Sequence, residues 1–422
     1  MDSAPLGRHK PFPFRPPKNS RLLIRLAKWL LPLILRTGVK VTAVEIREED
    51  LTRLQQLAGQ RVVLTPNHGG SIEPFILFHL SKLLCLDFNY LAAKEAFERR
   101  PAAAWFLQRL GGYSVVRGTL DKKSFRTTQD LLVEGKHWLV IFPEGEVGWQ
   151  TDTIMPFQEG GTQLAFWAYT ELARRGESFP LYLVPIAIRY VYLQDMSQEI
   201  DRSLERLERK LLAAVNSPPL SRYDRLRRVG EAVLVANEKK YGIQPQAETD
   251  LEERVQQIRE RILSRIEATL GLPSRPGQPL LARIRDLLNA VERIVLSDAE
   301  GAGYEQQLHH ELQQQARGLY EDLSRVMRFI AVHDGYVREA PTAERFLDIL
   351  GLLELEVFER RRFWGPRKAL IKAGDPVEIG QYFPRYQNDK RGVIQEITIL
   401  LETRVRQSLA ELHGQPAGRE GM

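Results

Sequence analysis

A histidine and a carboxylate lie close together in the segment 67–73, which reads Asn-His-Gly-Gly-Ser-Ile-Glu. In a loop that enters a helix, Glu73 can fold back onto the imidazole of His68, fix its tautomer and stabilise the imidazolium. A histidine held in this way can act as a general base toward a hydroxyl. Gly69 and Gly70 leave space around the ring and permit unusual backbone angles. Alone, this spacing is more often structural than catalytic, so its meaning depends on the surrounding chain.

Short apolar runs alternate with helical patterns around this pair. The runs predict strands at 61–66, 88–92, 113–116, 137–142 and 182–188. Helical patterns occupy 75–86, 97–110, 121–135 and 160–175. The alternation predicts an α/β fold with a mostly parallel sheet covered by helices. Sites in such sheets lie at the carboxyl ends of strands, where the polar clusters 67–73 and 143–146 both fall.

Four motifs follow one another in this region in a fixed order. They are Asn67-His68-(x4)-Glu73-Pro74, Gly112-Tyr113-Ser114-Val115-Val116-Arg117, Phe142-Pro143-Glu144-Gly145 and Val184-Pro185-Ile186-Ala187-Ile188. The ordered set resembles the PlsC-like glycerolipid acyltransferase family, which includes 1-acylglycerol-3-phosphate and glycerol-3-phosphate acyltransferases. The resemblance covers about 40–190 and extends to a predicted strand near 367–379.

The resemblance implies a reaction. An acyl group would move from an acyl-CoA or acyl-carrier-protein thioester to a hydroxyl of a lysophospholipid, with 1-acylglycerol-3-phosphate as the first expectation. His68 matches the family's general base and Glu73 its carboxylate partner. Neither a metal nor a cofactor is implied. A glycerol-3-phosphate acceptor, another lysolipid and the choice between the two kinds of donor stay open.

The other motifs imply roles in substrate binding. Arg117 matches an arginine that holds the acceptor phosphate, which a guanidinium can grip with two hydrogen bonds. Lys94 is a second candidate for that phosphate, and Glu144 and Gly145 match residues near the acceptor's glycerol. Pro185 is expected on the acyl-donor side or as a purely structural residue. Without the motifs, the same residues would be typical of surface charges and turns.

Three residues depart from the family's pattern. Glu73 stands where Asp is usual, Glu146 follows Gly145 where the common continuation contains an arginine, and Gln158 replaces a frequent basic residue. The change at Glu146 removes a cation near the expected phosphate site. The departures favour a less anionic acceptor, or one bound mainly by Arg117 and Lys94.

The motifs divide the chain into segments. The α/β domain is expected over 38–194 and 361–412, where the second part supplies a return strand and a last helix. Between them, 195–360 is charged and rich in amphipathic helical stripes, such as Leu251, Val255, Ile258 and Ile262. We interpret 195–360 as a helical insertion, whose stripes would serve internal packing, a dimer contact or a membrane surface. Flexible tails are expected at 1–20, which is basic and Pro-rich, and at 413–422.

The segment 21–37 predicts an amphipathic helix with Trp29 at its boundary and basic residues at Arg21, Arg25, Lys28 and Arg36. Such a helix suits a membrane interface. A core helix with solvated arginines is the alternative. With the acyltransferase resemblance, the interfacial interpretation is favoured, and with it a peripheral or monotopic membrane protein that faces the cytoplasm or another reducing compartment.

Composition excludes several other classes of protein. The chain has 422 residues, a formal net charge of +6 and a single cysteine, Cys85, which excludes an intrachain disulfide framework. Phosphate-loop and Gly-x-Ser-x-Gly signatures are lacking, and the basic runs lack the aromatic residues typical of nucleic-acid surfaces. The rival of another class is a lipid-binding or scaffolding protein on an inactive acyltransferase fold.

Overall fold

Apolar and β-branched runs form the strands of one central sheet. The computed structural model describes residues 13–98, 101–117, 121–176, 179–212, 220–244, 250–274, 277–295, 304–330, 335–360 and 362–413. The strands are β1 (Val41–Ile46), β2 (Arg61–Pro66), β3 (Phe88–Ala93), β4 (Gly112–Val115), β5 (Trp138–Val140), β6 (Leu181–Tyr192), β7 (Arg367–Ala373) and β8 (Val377–Glu378).

The strand order is β1-β7-β6-β2-β5-β3-β4, with β8 paired to β6. Neighbouring strands are parallel except where β6 meets β7 and β8. The predicted α/β fold with a mostly parallel sheet is therefore confirmed. Strand β2 lies inside the sheet between β6 and β5, so that the loop carrying His68 leaves from a rigid, doubly paired strand.

Helices cover both faces of the sheet. The first seven are α1 (Arg21–Leu33), α2 (Glu48–Gln56), α3 (Glu73–Leu83), α4 (Glu95–Glu98), α5 (Pro101–Arg109), α6 (Lys122–Glu134) and α7 (Gly160–Arg174). Alternate residues of the strands face opposite sides, as strand geometry requires. Val63 and Leu183 pack with α6 and α7, whereas Leu64 and Val184 pack with α1, α2 and α3.

The segment between β6 and β7 is helical, as the amphipathic stripes predict. Its helices are α8 (Ser197–Leu211), α9 (Arg222–Tyr241), α10 (Leu251–Thr269), α11 (Leu280–Val295), α12 (Tyr304–Ile330), α13 (Gly335–Glu339) and α14 (Ala343–Phe358). We call these helices the helical block. They enclose two apolar clusters, one within α8, α13, α14 and the start of α9, the other within α10, α11, α12 and the end of α9.

The helical block begins and ends at adjacent points of the sheet. Tyr192, the last residue of β6, is the register partner of Arg367, the first residue of β7. After β8, α15 (Ile379–Asn388) and α16 (Lys390–His413) complete the α/β part on the face of α6 and α7. The predicted return strand is thus present, but it runs antiparallel to β6 and is followed by two helices.

The expectation of a flexible tail is wrong for residues 13–20. The backbone of Lys18 and Ser20 donates to the carbonyls of Gln108 and Arg109, and Ser114 donates to the carbonyl of Arg15. These hydrogen bonds hold the segment against the end of α5 and against β4. Residues 1–12 and 414–422, the remainder of the predicted tails, lie outside the described residues.

Helix α1 buries one face and exposes an apolar one. Ile24, Ala27 and Leu31 pack into the core, and a π-helical turn over Ile34–Gly38 continues the helix past Pro32. The opposite face carries exposed apolar side chains at helical spacing: Leu22 (77%), Leu26 (48%), Trp29 (74%) and Leu33 (61%). No helix of the described chain is long and apolar enough to cross a bilayer.

One basic residue of α1 does not face outward as predicted. Lys28 donates to the carboxylate of Asp87 at 2.8 Å and to the carbonyl of Leu86 at 2.7 Å. Its ammonium is used to hold α1 beside the end of α3. Arg21, Arg25 and Arg36 are exposed.

Candidate active site

The predicted polar residues meet at one edge of the sheet. His68 follows β2, Lys94 follows β3, Arg117 follows β4 and Glu144 follows β5. These four strands are linked by parallel pairings, so their carboxyl ends point the same way. The sheet therefore gathers side chains that are up to 76 residues apart in the chain, as in the pair of His68 and Glu144.

His68 and Glu73 are in direct contact. The Nδ1 atom of His68 lies 2.9 Å from Oε2 of Glu73. Since the carboxylate accepts, Nδ1 carries the proton and Nε2 keeps its lone pair. Nε2 has no hydrogen-bond partner among the described residues, and the His68 side chain is 16% exposed, whereas that of Glu73 is fully buried. The imidazole thus offers a basic nitrogen on its open side.

Glu73 is held by three donors. Besides His68, the backbone N–H of Gly70 donates to Oε1 at 2.8 Å, and the hydroxyl of Tyr190 donates to the same oxygen at 3.0 Å. Burial raises the pKa of Glu73. The net pKa is nevertheless lowered, because His68 donates a hydrogen bond and attracts the carboxylate, and because the backbone at the start of α3 and Tyr190 also donate to it. Glu73 is therefore a carboxylate that remains ionised while fully buried.

The backbone on both sides of the His68 ring is also fixed. The side-chain amide of Asn67 pairs with the backbone of Ile188, donating at 3.0 Å and accepting at 2.7 Å, and so extends the contact of β2 with β6. The imidazole stacks on Phe142, with ring centroids 4.2 Å apart. The carbonyl of His68 accepts from Gly148 at 2.8 Å. The ring is positioned before any substrate binds.

Glu144 points into the protein instead of toward open space. Its Oε1 accepts from the backbone N–H of His68 at 2.6 Å, and its Oε2 accepts from that of Met155 at 2.8 Å. The side chain is fully buried. Both oxygens are thus occupied in joining two loops, a geometry that positions His68 and leaves no face toward an acceptor. Gly145, the next residue, has a positive φ of 73°.

Arg117 lies over this loop. It donates to the carbonyl of Gly145 at 2.9 Å and forms ion pairs with Glu146 at 2.5 Å and Glu95 at 3.2 Å. Burial lowers the pKa of Arg117, but the two carboxylates outweigh it and raise the pKa. The guanidinium is a permanent cation, and in the free protein it is neutralised by carboxylates of the chain itself.

Lys94 and Pro185 are both buried. Lys94 lies directly after β3, where its backbone N–H donates to Val115 of β4. Pro185 lies inside β6, opposite Thr65 of β2 and facing the interruption between β7 and β8, where Gly374 donates to its carbonyl. A residue without an N–H suits that interruption. This favours the structural interpretation of Pro185.

Comparison with known proteins gives one family match. The family model described as Acyltransferase, the PlsC-type family, matches residues 43–189. The segment 43–189 is therefore similar to the domains of this family. The segment contains most of β1, all of β2 to β5, most of β6 and every predicted site residue. No curated protein matches the chain. Within the described ranges, the His, Cys, Asp and Glu side chains form no group of three or more that could hold a metal ion.

The helical block braces the acyltransferase domain beside its histidine loop. Asp348 of α14 accepts from the backbone and the hydroxyl of Thr151, each at 2.8 Å. Thr151 and Gln150 in turn lie against Gly69, where an added Cβ would come 2.4 Å from the carbonyl oxygen of Gln150. Burial raises the pKa of Asp348 to about 7, against hydrogen bonds from Thr151 and Tyr336 that lower it. The insertion therefore supports a wall of the site.

Sequence reasoning did not identify Tyr190, Asp348 or Arg285 of α11, which touches the carbonyl of Glu144. Tyr190 lies 117 residues from Glu73, and Asp348 lies 197 residues from Thr151. No local pattern marks such partners. The only signal for Tyr190 is its place on β6, where a buried polar group in an apolar strand requires a partner.

Proposed function

We propose that this protein transfers a fatty acyl group from an acyl thioester, acyl-CoA or acyl-carrier protein, to a hydroxyl of a lysophospholipid in glycerolipid synthesis or remodelling. The favoured acceptor is 1-acylglycerol-3-phosphate. The observation that carries the proposal is the 2.9 Å contact between His68 and a buried, ionised Glu73, with Nε2 on the open side of the ring. The acyltransferase-family domain that contains this pair supports the reaction class.

The reaction needs no covalent enzyme intermediate. Nε2 of His68 accepts the proton of the acceptor hydroxyl while the hydroxyl oxygen attacks the thioester carbonyl carbon. The carbon–sulfur bond then breaks, and the imidazolium returns the proton to the departing thiolate, so that an ester and a free thiol are formed. Glu73 stabilises the imidazolium and keeps the ring in one orientation. General-base catalysis of this type contributes about 10²- to 10⁴-fold.

We assign the acceptor phosphate to the side of the site where Arg117 lies. Arg117 presents a fork that matches a phosphate, and it lies against the backbone of Gly145 next to the histidine loop. A phosphate that binds Arg117 must compete with Glu146 and Glu95. Lys94 remains a second proposed contact for the same group.

We further propose that α1 docks on a lipid surface, which would make the protein a peripheral membrane protein on a cytoplasmic or similarly reducing side. The stripe of Leu22, Leu26, Trp29 and Leu33 is exposed, and Arg21, Arg25 and Arg36 surround it. Apolar side chains with flanking cations are typical of helices that lie in the plane of an anionic interface.

The test is an acyl-transfer assay with purified full-length protein, acyl-CoA or acyl-carrier-protein donors and a panel of acceptors that includes 1-acylglycerol-3-phosphate and glycerol 3-phosphate. We expect ester formation, and a loss of at least two orders of magnitude in kcat for His68→Ala. Full activity of His68→Ala would refute the mechanism. Lipid binding without turnover for every donor and acceptor would instead favour the non-catalytic lipid-binding protein.

A further inference from the structure

One arginine of the helical block reaches the acyltransferase domain beside Arg117. Arg285 lies on α11, and its Nη1 donates to Oε1 of Gln158 at 2.6 Å. Its Nη2 donates to the carbonyl of Glu144 at 3.3 Å. The same Nη2 would lie 2.9 Å from a Cβ added to Gly145, so the guanidinium packs directly on the backbone of this glycine. The guanidinium of Arg285, which belongs to the insertion, thus contacts the loop after β5.

Arg285 contacts one of the two positions where the sequence lacks an expected cation, and lies near the other. Glu146 stands where an arginine commonly follows Gly145, and Gln158 replaces a frequent basic residue. Arg285 hydrogen-bonds the side chain of Gln158 and lies close enough to Glu146 for that carboxylate to raise its pKa. The structure restores positive charge at this position with a residue 127 positions away from Gln158 in the chain.

The charge of Arg285 is not compensated by direct contact. Its hydrogen bonds go to neutral oxygens, and it forms no ion pair with any described residue. Burial and the neighbouring Arg117 lower the pKa of Arg285, whereas Glu146 raises it. Glu146 therefore pairs with the guanidinium of Arg117 and attracts that of Arg285, which has no ion pair with a described residue. An anion bound by both Arg117 and Arg285 would offset the cost of burying the Arg285 charge and the repulsion between the two guanidinium groups.

We propose that Arg285 and Arg117 together bind the phosphate group of the acceptor, so that the helical block supplies a specificity-determining residue to the acyltransferase site. This proposal rests on the proposed function. Glu146 acts as the internal competitor, which a phosphate with two negative charges displaces from Arg117. The phosphates of a CoA donor have the same chemistry, and the experiment must separate the two sources.

The experiment compares wild type with Arg285→Gln, Arg285→Lys and, as a matched control in the insertion, Arg209→Ala on the exposed side of α8. KM and kcat are measured for 1-acylglycerol-3-phosphate, for the uncharged 1-acylglycerol, and for the donor. We expect Arg285→Gln to raise KM for the phosphate acceptor roughly 10- to 100-fold, the range of charge-assisted hydrogen bonds, with a smaller rise for Arg285→Lys. KM for the uncharged acceptor and the donor, and all values for Arg209→Ala, should stay within about twofold of wild type.

Equal losses with charged and uncharged acceptors would overturn the proposal in favour of a structural role. A rise confined to the KM of acyl-CoA would overturn it in favour of a donor-phosphate site. A second measurement does not require turnover. Calorimetry measures the binding of 1-acylglycerol-3-phosphate to wild type and to Arg285→Gln, and we expect the variant to bind about tenfold more weakly, or weaker still. If no acceptor is acylated, the proposed reaction fails while this binding result still decides the role of Arg285.

A second variant tests the competitor. Glu146→Gln keeps the size of the side chain but removes the carboxylate that pairs with Arg117 and attracts Arg285. We expect KM for 1-acylglycerol-3-phosphate to fall several-fold, up to about tenfold, and KM for 1-acylglycerol to stay unchanged. An unchanged or higher KM for the phosphate acceptor would contradict the proposed displacement.

Discussion

The backbone N–H of His68 donates a 2.6 Å hydrogen bond to Oε1 of Glu144, and the other oxygen of that carboxylate accepts from Met155 at 2.8 Å. One buried side chain therefore connects the loop after β2 to the loop after β5. Burial raises the pKa of Glu144 from its ordinary value of 4.5 to about 7, although the two backbone donors oppose the rise. The position of the histidine is thereby linked to a group that titrates near neutral pH.

The pH dependence of stability tests this link. The folded-state pKa of Glu144 lies above the ordinary value of 4.5, so the folded protein holds this proton more tightly than the unfolded chain does. The resulting stabilisation is complete below pH 4.5 and is lost as the pH rises through about 7. Glu144→Gln cannot titrate. We expect the free energy of unfolding of wild type minus that of Glu144→Gln to fall by about 1–3 kcal/mol between pH 5 and pH 8.5. Urea titrations at several pH values measure the difference, and a constant difference would contradict the assignment.

Tyr190 is expected to be a positioning residue that acts through Glu73. Tyr190→Phe removes the hydroxyl that donates to Oε1 of Glu73 and helps to lower its pKa. We expect kcat to fall about tenfold with unchanged KM, and stability to fall by about 1 kcal/mol. The acid limb of the pH–kcat profile should move to higher pH, because a Glu73 carboxylate with one hydrogen bond fewer attracts a proton to the His68–Glu73 pair more strongly. Tyr182→Phe, on the same strand, is the control, and an unmoved acid limb would argue for a purely structural tyrosine.

The strands at the site were predictable because each is a local apolar pattern. The prediction for 61–66 coincides with β2, and 88–92 lies within β3. Strand β1 was not predicted, because it lies at the edge of the sheet and buries only Val41, so its apolar pattern is weak. Strands with a strong apolar run were found, including β7, although its partner β1 is more than 300 residues away.

The same distinction applies to the site residues. The contact of His68 with Glu73 follows from five residues of local chain, and the structure contains it. The inward orientation of Glu144 depends on Met155 and on the burial of its loop, and Arg285 reaches the site only through the packing of α11. A motif can identify a residue type at a position, but the direction of a side chain is decided by its three-dimensional neighbours.

Gly69 is expected to be required for the close packing of the histidine loop. An added Cβ would lie 2.4 Å from the carbonyl oxygen of Gln150 and 2.9 Å from Cα of Thr151, and backbone atoms cannot move aside as a flexible side chain can. Gly69→Ala should lower stability by about 1–3 kcal/mol and reduce kcat by at least tenfold. Thermal unfolding and the transfer assay measure the two effects.

Gly230→Ala on α9 is the matched control, because no atom lies within 4 Å of its added Cβ. This change should leave kcat unaltered and raise stability by about 0.5–1 kcal/mol, through the higher helix propensity of alanine. A Gly69→Ala protein with the kcat and stability of wild type would disprove the steric role.

The exposed stripe of α1 is expected to bind vesicles. In a Leu22→Glu, Trp29→Glu double variant we expect binding to anionic phospholipid vesicles to weaken at least tenfold, since each apolar side chain contributes about 1.5–3 kcal/mol when buried. Vesicle sedimentation at low and high salt measures binding, and thermal unfolding should be unchanged. Ile399→Glu on α16, exposed on the opposite face of the sheet, is the control. Equal binding by all three proteins would exclude α1 as the docking element.

Point substitutions are preferable here to removal of residues 1–36. Such a truncation would also remove Ile24, Leu31 and Leu35 from the core, together with the hydrogen bonds made by Arg15, Lys18 and Ser20. A loss of vesicle binding in the truncated protein would then report on folding as much as on docking.

The pairing of Tyr192 with Arg367 means that the helical block leaves and re-enters the sheet at the same place. Seen from the sheet, the block is one long hairpin connection, so whole helices can be gained or exchanged without a change in strand register. His68 and Glu73 lie after β2 and at the start of α3, whereas Arg285 belongs to the connection. A change of helices in the connection would therefore alter the surroundings of Arg285 and leave the contact of His68 with Glu73 in place.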